Sequence, residues 1–240
     1  MQPMEPFMPE PITLALGGAA LAIPAALGVT VRRAARARTA ARAAIFDECR
    51  ALLDGPVVTL APDGFARLSG IRGGHRFDLR VLPDMLSYRK LPALWLMVTL
   101  IAPQPVRGRC DILLRPTGGE PFSPFGLLPF QCPPPPGCPE DAALRCDDPS
   151  DLPEPGALAP HLAILGDPAA KELLIAPQAL RLVWLAEEAD RGRYLIYRDA
   201  EMGLSPMAGT TVRRLMDALL ALHADLAETA ESRLPERRTA

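Results

Sequence analysis

Lysine is nearly missing from this chain. Lys90 and Lys171 are the only two among 26 basic residues, and with Ala and Pro abundant this reads as the composition of a GC-rich bacterial genome. The arginine bias is therefore not taken as a functional signal, although Arg suits bidentate contacts better than Lys. A net charge of −2, with acids and bases interspersed outside one short run, excludes the electrostatic footprint of a nucleic-acid binder. No Lys or Arg occurs in the first eleven residues, which carry Glu5 and Glu10, so the positive n-region of a cleaved signal peptide is absent. Cysteine is sparse and odd in number: Cys49, Cys110, Cys132, Cys138 and Cys146. An odd count argues against a disulfide framework, the more so in a reducing cytoplasm. Five and seven residues separate the last three cysteines, which does not match the C-x2-4-C spacing of structural zinc. No cofactor and no metal is expected.

What is present begins with Ile12 to Val31, twenty consecutive uncharged residues followed at once by Arg32 and Arg33. A helix of that length spans roughly 30 Å, the thickness of a bilayer core. Pro24 and the glycines weaken it in water but are tolerated in lipid. The expectation is an N-terminal transmembrane helix over 12–31, with 1–11 as a short extracytoplasmic tail. Arg32, Arg33, Arg36, Arg38 and Arg42 lie in the window where basic residues set topology, which predicts a cytoplasmic C-terminal side in a bacterial inner membrane. Contact of these arginines with anionic lipid is a secondary role.

Residues 32–56 read as a basic juxtamembrane helix, with Phe46, Cys49 and Leu53 at helical spacing and a stop at Asp54-Gly55-Pro56. From Val57 the period changes to two. VVTL, FARLSGI and HRFDLRVL alternate apolar and polar residues, separated by Pro62-Asp63-Gly64 and Arg72-Gly73-Gly74, which predicts a β-meander. Phe77, Leu79 and Val81 are assigned to one face, Arg76, Asp78 and Arg80 to the other, and His75 to the turn. Leu94 to Ile101 is apolar throughout and reads as a central strand, with Cys110 to Arg115 returning as its partner. Tyr88, Arg89 and Lys90 are assigned to the approach to that strand.

Residues 117–160 read as a long Pro-rich loop, ordered in its first half by Phe122, Phe125 and Phe130 and mobile around Cys132 to Glu140. Pro133 to Pro136 predicts a polyproline II segment. Phe122, Phe125, Phe130, Pro133 and Pro134 form the expected partner surface. Asp167-Pro168 is read as the start of a short helix through AAKELLI. Leu180–Leu185 and Tyr194–Tyr197 are read as a hairpin around the acidic turn Glu187 to Gly192. The last helix follows Thr210 or Thr211 and carries Val212, Leu215, Met216, Leu219, Leu222 and Leu226 on one face, with His223 at its boundary. Residues 230–240 are a polar tail. The fold class is α+β: a transmembrane helix followed by one mainly antiparallel sheet domain over 57–229 with a few packed helices.

LSGIRGGHRFDLRVLPD at Leu68 to Asp84, LPALWLMVTL at Leu91 to Leu100 and KELLIAPQALRLV at Lys171 to Val183 carry a resemblance in feature order. In these stretches the chain resembles uncharacterised single-pass, membrane-anchored bacterial proteins with a cytoplasmic α+β domain. That resemblance implies no activity. The expected function is a non-enzymatic scaffold, assembly or regulatory component of a membrane complex, with the lipid bilayer and other membrane proteins as partners. The alternative is a hydrolase or thiol enzyme with Cys110, Cys132 or Cys146 as nucleophile and His75 or His161 as base.

Overall fold

The computed structural model describes residues 11–85, 91–197 and 200–232, with the backbone alone over 11–22 and at 197. The expected N-terminal tail over 1–10, the strand approach at Tyr88 to Lys90 and the polar tail from 233 onward lie outside the described residues. The chain divides into two compact units, Met1–Ala40 and Ala41–Ala240.

The first unit is a stretch of helix α1, Pro11–Ala43, which contains the whole uncharged run with Pro24 inside it. Among the described residues no helix is long and apolar enough to cross a membrane. The side chains of 11–22, the first half of that run, lie outside the described set. Every residue from Ile23 to Ala37 is exposed, including Ile23, Leu27, Val29 and Val31.

The second unit is built on a nine-stranded sheet. Its strands are β1 Asp54–Leu60, β2 Ala66–Arg72, β3 His75–Asp84, β4 Ala93–Ile101, β5 Cys110–Leu114, β6 Phe130–Cys132, β7 Ala142–Cys146, β8 Ala170–Ala176 and β9 Ala179–Glu188. Their spatial order is β1-β2-β3-β4-β9-β8-β5-β7-β6, and every pairing is antiparallel. The fold is therefore α+β and mainly antiparallel, as the alternating patterns imply. The meander falls where its turns place it. In β3, Phe77, Leu79 and Val81 face the core while Arg76 and Arg80 are exposed on the other side.

Helices α2 Pro155–Leu158, α3 Arg191–Tyr197 and α4 Gly209–Ser232 complete the unit. In α4 the buried residues are Val212, Leu215, Met216, Leu219, Leu222 and Leu226, the face that helical spacing assigns. They close over Leu96, Val98 and Leu100 of β4 and Leu180, Leu182 and Trp184 of β9 in one apolar core. Thr210 and Thr211 lie within the first turn of α4, one or two residues inside its start.

Several sequence expectations are corrected. The helix after Arg33 stops at Ala43, and a 3-10 segment, Asp47–Leu52, succeeds it. Strand β1 then begins at Asp54, ahead of the expected Val57. AAKELLI is strand β8, not a helix. Asp167 Oδ1 accepts from the Ala169 amide at 2.9 Å, an Asx turn, and pairing with both β9 and β5 outweighs the helical preference of Ala, Lys, Glu and Leu. The hairpin partner of β9 is therefore β8, through Pro177-Gln178, rather than Tyr194–Tyr197. Those tyrosines end α3, whose start is capped by Asp190: Oδ1 accepts from Arg193 N at 2.7 Å and its carbonyl from Tyr194 N at 2.9 Å.

Cys110–Leu114 is a strand, but it lies between β8 and β7 and does not pair with β4, whose neighbours are β3 and β9. The stretch 117–160 is not one long loop. It contains β6, β7 and α2, short pieces whose three to five residues fall below what sequence periodicity resolves.

Removing the apolar bulk of α4 at its centre tests this core. Leu219→Ala is expected to lower the unfolding free energy by about 2–5 kcal/mol, the range for buried Leu truncations, measured by urea titration.

Candidate functional site

The side of the sheet opposite α4 carries charge. Asp78, Asp111, Lys171 and Glu172 are buried, and Asp111, Glu172 and Arg181 sit on neighbouring strands β5, β8 and β9. A chain segment from Arg115 to Phe130 crosses these strands and covers them. It starts with Arg115 at φ 47°, a left-handed conformation uncommon for a side chain of this size. Arg115 is held there by its amide on Asp141 O at 3.0 Å and by Nη2 on the carbonyls of Pro168 and Ala170.

Lys171 then ties the segment down. Its Nζ donates to Leu114 O at 2.8 Å, Arg115 O at 2.7 Å and Glu120 Oε1 at 3.1 Å, three acceptors for the three protons of an ammonium. Glu120 also accepts from Thr117 N at 2.6 Å, Thr117 Oγ1 at 2.8 Å and Gly118 N at 3.1 Å. Burial opposes the charge on Glu120, but the Thr117 and Lys171 bonds prevail and hold its carboxyl down at about 2.

Phe122 comes next, buried against Met97, Leu113 and Val183, with its ring 5.2 Å from that of Trp95. The Phe122 carbonyl accepts from Arg181 Nη2 at 2.9 Å, and the same guanidinium donates Nε and Nη2 to Glu172 Oε2 at 3.1 and 2.9 Å. Ser123 Oγ donates to Asp111 Oδ2 at 2.9 Å and accepts from Phe125 N at 3.1 Å. Arg145 of β7 lies 5.7 Å over the Phe125 ring.

Two buried carboxylates thus lie near one guanidinium, which binds Glu172 and reaches Asp111 only through space. Asp111 and Glu172 also meet side chain to side chain, a hydrogen bond that favours the proton on Asp111 and the charge on Glu172. Burial, then repulsion from Glu172, pushes the Asp111 carboxyl up to about 8, and burial raises Glu172 against the opposing pull of Arg181. At neutral pH Asp111 therefore keeps its proton, which leaves Glu172 and Arg181 as a balanced ion pair.

Beside this segment lies a cleft of about 280 Å3, with Trp95, Phe122, Leu91 and Leu185 on its apolar side and Arg115 and Lys171 on its polar side. A second, more apolar groove of about 330 Å3 is lined by Pro133 to Pro136, Leu144 and Leu158.

The expected site residues scatter over these features. Phe122 closes the core and Phe125 is half-buried, whereas Phe130 on edge strand β6 is 49% exposed; Pro133 and Pro134 line the apolar groove. Arg32, Arg33 and Arg36 are exposed on α1, Arg38 is half-buried, and Arg42 stacks 4.9 Å over the Phe65 ring. The histidines have partners other than thiols. His161 Nε2 meets Asp225 Oδ2 at 2.8 Å, His223 Nδ1 meets Gln104 Oε1 at 3.1 Å, and His75 packs edge-on to His223 at 4.6 Å. Among the described residues no hydrogen bond joins a cysteine to a histidine. Glu187 and Asp190 bind backbone amides, of Gly203 and Arg193, and do not form a carboxylate pair.

Sequence reasoning missed Asp111, Glu172 and Arg181. The signal was available: Asp111 and Arg181 are lone charges within apolar runs, CDILL and ALRLVWL, and Glu172 shares KELLI with Lys171 alone.

Two outcomes test the cluster. Arg181→Ala leaves Glu172 buried without its partner and should cost about 3–5 kcal/mol of stability in urea titration. The raised Asp111 carboxyl binds its proton more tightly in the folded state, so its contribution is full below the unfolded value of about 4 and is lost as pH rises through about 8. Unfolding free energy should fall between those limits, and the fall should be smaller in Asp111→Asn.

No family model and no curated protein matches the chain. Among solved structures, the mycobacterial trehalose monomycolate transport factor A, TtfA, aligns at a TM-score of 0.34 and 9% identity, over 65% of this chain and 71% of that one. A likeness at that level carries no argument about fold or function.

Proposed function

We propose that the chain is a membrane-tethered domain, and that its second unit is a non-enzymatic scaffold, assembly or regulatory component that binds other membrane proteins. One observation carries the tether. The uncharged run Ile12–Val31 lies wholly within α1, and its described part, Ile23 to Val31, is exposed residue by residue. Apolar side chains on all sides of a helix are unfavourable in water and favourable in hydrocarbon. The arginines next to the run supply the orientation, placing the second unit in the cytoplasm.

The partner surface is the end of the sheet formed by β6 and the proline segment. Phe130 is exposed on a strand with one free edge, a place where another chain can add or pack. The proline-lined groove adjoins β7 on its other side. The Cys/His enzyme reading has no observation in its favour.

A reporter active only outside the cytoplasmic membrane, fused after Ala240, should be silent; activity there would overturn the orientation. Deleting Pro133 to Pro136 together with Phe130→Ala should remove co-purifying membrane proteins in mild detergent. The deletion itself should change stability by well under about 1 kcal/mol, as surface loops tolerate length changes. An unchanged set of co-purifying proteins would remove this surface from consideration.

A further inference from the structure

Three of the five cysteines converge on one end of the sheet. Cys110 of β5 lies opposite Cys146 of β7, and Cys132 ends β6 on the other side of β7. Cys132 pairs in register with Leu144, so Cys146 is its diagonal neighbour, and the sulfur atoms of Cys132 and Cys146 stand 3.6 Å apart. The remaining thiols have no such contact: Cys49 faces the Met207 carbonyl at 3.5 Å, and neither Cys110 nor Cys138 has a sulfur partner among the described residues.

We propose that Cys132 is a site of thiol–disulfide exchange and that Cys146 resolves the mixed disulfide formed there, closing residues 133–145 into a covalent loop. Accessibility sets the order of events. Cys110 and Cys146 are buried, whereas Cys132 is half-buried on an edge strand, so a small-molecule disulfide of the glutathione type reaches Cys132 first.

The Cys132 thiolate attacks one sulfur of the reagent. The reagent's S–S bond breaks, a bond from Cys132 to that sulfur forms, and one thiolate leaves and takes up a proton. Cys146 then releases its proton to water and attacks Cys132 Sγ, and the second reagent thiolate leaves. Two protein thiols are oxidised and one small-molecule disulfide is reduced to two thiols.

The geometry favours this pair. A disulfide needs its sulfurs about 2.05 Å apart, so the observed separation must shorten. Cys132 is the last residue of the three-residue strand β6, which among the described residues pairs with β7 alone. Burial, then the contact with Cys132, pushes the Cys146 thiol up to about 11, so at neutral pH Cys146 is a thiol until it resolves the mixed disulfide. The loop so closed carries Pro133 to Pro136, one wall of the apolar groove, so oxidation would fix that wall. The inference does not depend on the membrane tether.

The full chain in mild detergent, held in glutathione redox buffers, provides the test. Trypsin cuts after Arg145 and separates Cys146 from the peptide that carries Cys110, Cys132 and Cys138. Oxidation should link these two peptides, and the link should survive Cys138→Ser and Cys110→Ser but vanish in Cys132→Ser. The folded state of Cys132→Ser is checked by its unfolding midpoint under reducing conditions. A link that persists in folded Cys132→Ser would overturn the proposal. So would glutathione held on Cys132 of the wild-type chain at redox equilibrium, with Cys146 still a free thiol when alkylated after denaturation, a readout that needs no variant.

Discussion

The second face of the sheet depends on one guanidinium. Arg181 neutralises Glu172, which is fully buried on β8, and through the same Nη2 it also holds the Phe122 carbonyl, so the covering segment and the buried charge are fixed by one side chain. Without it the strand would carry an uncompensated carboxylate into the interior, a state that real proteins avoid at several kcal/mol. Asp111 and Ser123 complete the arrangement, with a proton retained on Asp111 in place of a second cation. The polar cluster thus turns an exposed sheet face into a covered one without a second helix layer.

The opposite face obeys the simpler physics of apolar burial. A long amphipathic helix, α4, lies across β4 and β9, and the two middle strands carry apolar residues on both faces because Met97 and Val183 are covered in turn by Phe122. The segment between β5 and β6 therefore has two jobs at once. It shields charge over β8 and β9, and it supplies the aromatic ring that closes the small second core. Its far end leaves Phe130 and the proline segment at the sheet's edge, which is why the proposed partner surface and the thiol pair fall in the same place.

Local signals in the residues determined much of this architecture. The alternation in LSGIRGGHRFDLRVLPD, with Gly73 and Gly74 at φ 57° and 78°, sufficed for the meander and its facing. A 3.6-residue repeat sufficed for the buried stripe of α4, and twenty uncharged residues sufficed for one uninterrupted helix.

Only tertiary structure decided the rest, because pairing is non-local. KELLI has helical propensity in isolation, yet between β9 and β5 each residue finds a ladder partner and a buried face, so it becomes a strand. Cys110–Leu114 pairs with residues 28 to 65 positions later instead of with the strand before it, a choice that no neighbouring residue encodes. The cluster of Asp111, Glu172 and Arg181 was legible only as three charges in apolar surroundings; that Arg181 balances Glu172 while Asp111 keeps its proton required the strand order β9-β8-β5. The contact between Cys132 and Cys146 likewise exists because β6 and β7, too short to be seen in the sequence, lie side by side.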